Sequence, residues 1–138
     1  MKKLLPLFVC FILILCKKED EIIIFEGKQS DLIGVWVLKS ANLGGIDLEL
    51  DECRKQETIT VNSMGDAIWK NPGLITDSCD PVDKKLKFLA LNSNFTIKYE
   101  SETITYHGKF LEPGMVEIIS IFKIDELETK SIYIFTKK

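Results

Sequence analysis

From Gly34 onward the chain is cut into short runs in which apolar and polar residues alternate, each run ended by a turn signal, and no long helical period appears. This pattern leaves few solutions, because a strand with one apolar face must bury it against other strands. The first run, residues 34 to about 41, puts Gly34, Trp36 and Leu38 on one face. Residues 57–62 alternate Thr with Ile59 and Val61, 63–66 turn, and 67–70 return before Asn71, Pro72 and Gly73 stop the strand. Residues 84–91 align Leu86, Phe88 and Ala90; the next two runs align Phe95, Ile97 and Tyr99, then Ile104, Tyr106, Gly108 and Phe110. A last, longest hairpin joins 115–124 to 129–136 around the acidic stretch 125–128. That makes about eight strands joined mostly by short turns, the signature of an up-and-down barrel or a sandwich. A meander of this kind closes most simply as a barrel, which removes exposed edges. The expected fold is therefore all-β: an antiparallel up-and-down β-barrel of about eight strands.

The N-terminus has a different composition. Lys2 and Lys3 precede an apolar run from Leu4 to Leu15 that is too short for a comfortable membrane span. Cys16 follows at once, and then Lys17, Lys18, Glu19, Asp20 and Glu21. An apolar run, a Cys and a charged tail resemble a bacterial lipoprotein signal. The resemblance implies a signal peptide over 1–15, lipid on Cys16 as the mature N-terminus, and a tether over 16–29. The barrel domain is then 30–138. An ordinary signal peptide or an uncleaved anchor is the alternative. Within the tether, Ile22, Ile23, Ile24 and Phe25 either add an edge strand, pack on the outside of the barrel, or remain plain linker.

Charge narrows the function classes. The chain carries a net charge of −3, and loss of Lys2 and Lys3 makes it more negative. An acidic surface argues against nucleic acid, whose binding needs a basic face to displace counterions. Membrane contact comes instead through lipid on Cys16, where two or three acyl chains anchor stably and one does not. With Cys10 lost and Cys16 lipidated, Cys53 and Cys79 remain as an even pair in an exported chain and are expected to form a disulfide. No metal site is expected, since one His and two distant thiols do not match zinc spacing. The acidic alternation Asp47, Glu49, Asp51 lacks the spacing and central Gly of an EF-hand loop.

Catalytic machinery is not evident. His107 falls on the outward face with Thr103, Thr105 and Lys109, the carboxylates lie in loops and tails, and no Gly-x-Ser-x-Gly motif occurs. The chain is expected to be neither an enzyme nor the carrier of a cofactor. Its binding candidates lie on the inward face: Trp36, Leu38, Ile59, Val61, Ile68, Leu86, Phe88, Phe95, Ile97, Tyr99, Ile104, Tyr106 and Phe122. A barrel of about eight strands either fills with side chains or holds one small ligand. The sequence leaves both open. A second hypothesis is a protein partner received by the loops 42–51 and 71–80, with Trp69 near the rim as the anchor. A structural envelope protein is the third. The last hairpin is apolar on both faces, so its outer face needs a cover, either residues 22–25 or a second copy.

Three features together resemble the small lipocalin-like lipoproteins of diderm bacteria. They are Leu32-Ile33-Gly34-Val35-Trp36, then Glu52-Cys53-Arg54-Lys55-Gln56-Glu57-Thr58 leading into a strand, then Cys79-Asp80-Pro81. The resemblance covers residues 30–137. It implies a β-barrel, a paired Cys53–Cys79 and a cavity lined by apolar residues; the inward face is expected to bind a small hydrophobic or amphipathic ligand. Lys17 directly after Cys16, by likeness to lipoprotein sorting signals, implies the cell envelope with the lipid in the outer membrane, and the run Glu19-Asp20-Glu21 leaves the barrel facing the periplasm or the exterior. Classical lipocalins pack a late Arg on the first-strand Trp. The one Arg here is Arg54, so that contact is missing or supplied by a Lys.

Overall fold

The computed structural model describes residues 24–72, 79–99 and 104–138. Residues 1–23, on which the expected signal segment, Cys16 and most of the expected tether fall, lie outside the described residues. So does most of the loop ahead of Cys79. Nine strands are present: β1 (Gly34–Leu43), β2 (Ile46–Leu48), β3 (Thr58–Val61), β4 (Asp66–Asn71), β5 (Val82–Leu91), β6 (Asn94–Lys98), β7 (Ile104–Glu112), β8 (Met115–Ile124) and β9 (Leu127–Lys137). Each strand from β3 to β9 pairs antiparallel with the next. β1 closes the ring by pairing with β3 on one side and β9 on the other. The result is a closed eight-stranded up-and-down barrel with β2 as an extra strand.

The extra strand lies within the stretch 42–51, expected to be a loop. Asn42 and Leu43 belong to β1, and only Gly44 and Gly45 turn, both at positive φ (58° and 89°) as a tight two-residue hairpin requires. Asn42 fixes the turn by accepting the Gly45 N–H on its side-chain oxygen. The last hairpin is likewise tighter than the stretch 125–128. Asp125 and Glu126 alone turn, and β9 begins at Leu127. A bulge between Leu38 and Ser40 shifts the parity of β1, so that Leu38 and then Ala41 are the buried residues.

One end of the barrel is plugged. A single helical turn, α1 (Gln29–Leu32), crosses it and buries Leu32 completely. Trp36 stands beneath and donates its indole N–H to the Leu32 carbonyl at 2.8 Å. Lys137, its register partner on β9, lies with Nζ 5.3 Å from the Trp36 ring and donates to the Asp31 carbonyl at 2.9 Å. A lysine thus occupies the place over the first-strand Trp. Gly34 makes this possible: its φ is +133°, and a Cβ there would sit 2.9 Å from Cε of Lys137.

Three phenylalanine rings, Phe88, Phe95 and Phe110, fill the space below, with centroids 5.2–5.3 Å apart along the series. Packing starts ahead of residue 30. Phe25 meets Phe110 edge-on at 6.1 Å, the Gly27 N–H bonds to the Asn92 carbonyl, and Gln29 bonds both backbone groups of Phe88 and Ala90. Phe25 therefore caps the barrel end and does not cover the last hairpin. Ile119, Ile121, Ile132 and Ile134 stay half-buried on that hairpin's outer face.

Candidate functional site

The second indole, Trp69, lies two strands from Trp36 in the same cross-strand row and borders the barrel end away from α1. Strand parity decides its place. Trp69 faces Ile59 across the β3–β4 pair, which turns it inward, and it is 1% exposed. Ile68, expected inside, is 42% exposed. The protein-partner hypothesis thereby loses its anchor, since Trp69 is not at an accessible rim. Tyr106, Tyr133 and Phe135 surround the ring edge-on, at 5.6, 5.3 and 5.7 Å. Tyr99 extends the group, 5.7 Å from Tyr106.

The N–H of Trp69 is satisfied by a carboxylate. Glu57 has no exposed surface, and its Oε1 accepts from Trp69 Nε1 at 2.6 Å and from Asn71 Nδ2 at 3.2 Å. The other oxygen, Oε2, has no hydrogen-bond partner among the described residues. Glu57 lies just before β3 and shares the parity of Ile59 and Val61, which is why it points in. Its backbone is held between Leu38 and Arg54. Burial pushes its carboxyl from 4.5 up to about 7, against the opposing pull of the Trp69 hydrogen bond and of the Arg54 and Lys84 charges.

Two cations stand near this carboxylate. Arg54 opens a short 3-10 turn, Arg54–Gln56, that Asp51 caps through the Arg54 N–H at 2.8 Å. The guanidinium is buried, and its Nη1 also lacks a partner among the described residues. Lys84 on β5 is the register partner of Trp69, with Nζ 5.5 Å from the ring. Burial holds its ammonium below the usual lysine range, opposed by Glu57. Cys53 and Cys79 are joined, Cα to Cα 5.1 Å, so the turn carrying Arg54 is tied to the segment that enters β5.

Above this layer lies a pocket of about 200 Å³ lined by Asn71, Lys84, Ile104, Tyr106, Ser120, Phe122 and Tyr133. Tyr106 and Ser120 are cross-strand partners, and Ile104 with Phe122 is the next pair but one along the same two strands. Burial pushes the Tyr106 hydroxyl up to about 12 and raises Tyr133 as well, so both remain donors at neutral pH.

The expected cavity residues divide accordingly. Trp36, Leu38, Phe88 and Phe95 are filled core, and Gly34 underlies Lys137. Tyr99 is half-buried, while Tyr106 and Phe122 line the pocket with Ile104. His107 is exposed on the outer face. Sequence reasoning missed Glu57, Asn71, Lys84 and Ser120. Period-two alternation carries the signal for each: Glu57 with Ile59, Asn71 with Trp69, Lys84 with Leu86, and Ser120 with Ile118. The expectation that the carboxylates lie in loops and tails is corrected by Asp66, Asp83 and Glu117, which lie on strands, and Glu57, in the link before β3, is buried. No protein-family model and no curated protein sequence matches this chain.

Proposed function

We propose that the chain is an exported lipoprotein of the lipocalin-like kind. In this reading Cys16 carries the lipid, and the barrel binds a small amphipathic molecule at its disulfide-stapled end. The observation that carries the reading is the asymmetry of the barrel. One end is solid with Trp36 and three phenylalanines. The other keeps a pocket of about 200 Å³ over a buried carboxylate. A cavity of about 150 Å³ accommodates benzene, so the pocket suits a ligand of that size and not a long acyl chain. The closed barrel, the Cys53–Cys79 pair and the Lys137 contact on Trp36 support the family resemblance.

Native mass spectrometry of the chain purified from its own cell envelope tests the binding reading. A co-purifying small molecule of defined mass is expected, and a uniformly empty monomer would count against it. Intact mass also tests the anchor. The mature chain is expected to start at Cys16 with added acyl mass, and Cys16→Ser is expected to leave the protein unlipidated and released from the membrane. An unmodified Cys16 in the membrane-bound protein would sink the anchor.

A further inference from the structure

We infer that the ligand of this pocket is a small organic carboxylate, with Lys84 as its counter-ion and the ring of polar side chains from β7, β8 and β9 as its hydrogen-bond donors. The inference rests on the small-ligand reading above and names its chemistry. Among the described residues no acidic side chain lines the pocket. The polar groups that do are the Lys84 ammonium, two phenols, a serine hydroxyl bonded to Tyr106, and the Asn71 amide, whose N–H already donates to Glu57. Glu57, the buried carboxylate of this layer among the described residues, bonds Asn71, and its Oε1 already accepts two hydrogen bonds. Two buried or half-buried cations, Arg54 and Lys84, face that single carboxylate. Within this buried layer the two cations outnumber Glu57 by one, which is complementary to a monoanion.

The order of the lining sets the pose. Tyr106 and Ser120 lie one inward step deeper than Ile104 and Phe122, so a carboxylate goes down toward Lys84 and an apolar body stays between Ile104 and Phe122. A charge-assisted bond to an ammonium in such a part-buried place is stronger than one in water. The filled core beneath Trp69 limits the body to about a benzene ring or a short chain.

The test uses the two indole N–H signals of the full chain, one from Trp36 and one from Trp69, in nitrogen–proton correlation spectra. Benzoate, benzyl alcohol and benzylamine are titrated separately. Benzoate is expected to move the Trp69 signal and leave Trp36 in place, with affinity about tenfold or more above the alcohol and the amine. Lys84→Met is expected to remove that preference and Lys84→Arg to restore much of it, both with near-wild-type spectra elsewhere. Decanoate is expected to bind no better than benzoate. Equal binding of the alcohol, or preference for the amine, overturns the carboxylate assignment and leaves the small-ligand reading standing. Stronger binding of decanoate overturns the size limit. If none of the three benzene compounds moves Trp69 at about 10 mM, a concentration that detects even millimolar affinity, both this inference and the pocket reading fail.

Discussion

Trp36 and Trp69 are two solutions to the same packing problem in one barrel, the first under the α1 plug and the second facing the polar layer. Each indole is buried, each has a lysine Nζ near its ring, and each N–H finds a buried acceptor. The acceptors differ. Trp36 donates to a backbone carbonyl of α1, a neutral group whose partner costs nothing to keep at any pH. Trp69 donates to a carboxylate that burial holds partly in its neutral form. The first end is therefore a plug, dry and indifferent to protons. The second is a polar layer that leaves Oε2 of Glu57 and Nη1 of Arg54 without partners among the described residues, and such groups weaken a core unless something else uses them. The buried ionisable side chains of the described residues, Glu57 and Arg54, thus sit on the Trp69 side and not under the plug.

The largest effect is expected from Trp36→Ala. It removes the biggest side chain of the plug and strands the Leu32 carbonyl. A loss of roughly 3–5 kcal/mol is expected, measured by urea denaturation and equal at pH 5 and pH 8. A loss that changes with pH would show the two ends to be coupled and break the comparison.

Cys53→Ala acts on the other end. Its bridge closes a loop of sequence separation 26, and opening it is expected to cost roughly 3–4 kcal/mol in the chain-entropy account. Melting of the wild type and variant should differ under oxidising conditions and converge in reductant. Equal melting in both conditions would remove the staple from the account of that end.

Glu57→Gln sharpens the contrast through pH. The wild-type carboxyl titrates near 4.5 when unfolded and near 7 when folded. Between those values the folded state binds the extra proton. Glu57 therefore contributes stability that is full below pH 4.5, declines as pH rises, and is gone above about 7. The total change is on the order of 3 kcal/mol. Gln keeps an acceptor for Trp69 and Asn71 and cannot ionise. The variant is expected to match the wild type near pH 4.5 and to exceed it above pH 7. Stability curves that run parallel across this range would show that Glu57 does not titrate there.

The plug was largely legible in the sequence and the polar layer was not. Trp36, Leu38, Phe88 and Phe95 lie on clean alternating runs where every second residue is apolar, so one face could be assigned. The pairing of Cys53 with Cys79 follows from an even count, and the exposed His107 follows from parity. Residues 67–70 read differently, because Ala67, Ile68 and Trp69 are consecutive and alternation alone allows either face. Only the pairing of Val61 with Ala67 and Ile59 with Trp69 decides it. Glu57 looked like a solvated strand end because a carboxylate is rarely buried without partners, and its partners are 12 and 14 residues further on. The bulge after Leu38 has no signal in composition, since the extra residue is an ordinary lysine.

The smallest effects separate the two lysines. Lys137→Met removes the ammonium near Trp36 and its bond to the Asp31 carbonyl. Lys137 is exposed, and contacts of this kind are worth about 0.5–1 kcal/mol, so a loss of that size is expected at pH 5 and pH 8 alike. Lys84→Met removes an ammonium that also faces Glu57. At pH 5 Glu57 is protonated, the ion–ion attraction is absent, and methionine suits the half-buried position. The change should be close to neutral. At pH 8 the same substitution leaves the buried carboxylate with Arg54 as its remaining counter-charge, and a loss is expected. Denaturation of both variants at the two pH values checks this. If Lys84→Met is as insensitive to pH as Lys137→Met, then Lys84 and Glu57 are not coupled. The two indoles would then differ in their acceptors alone.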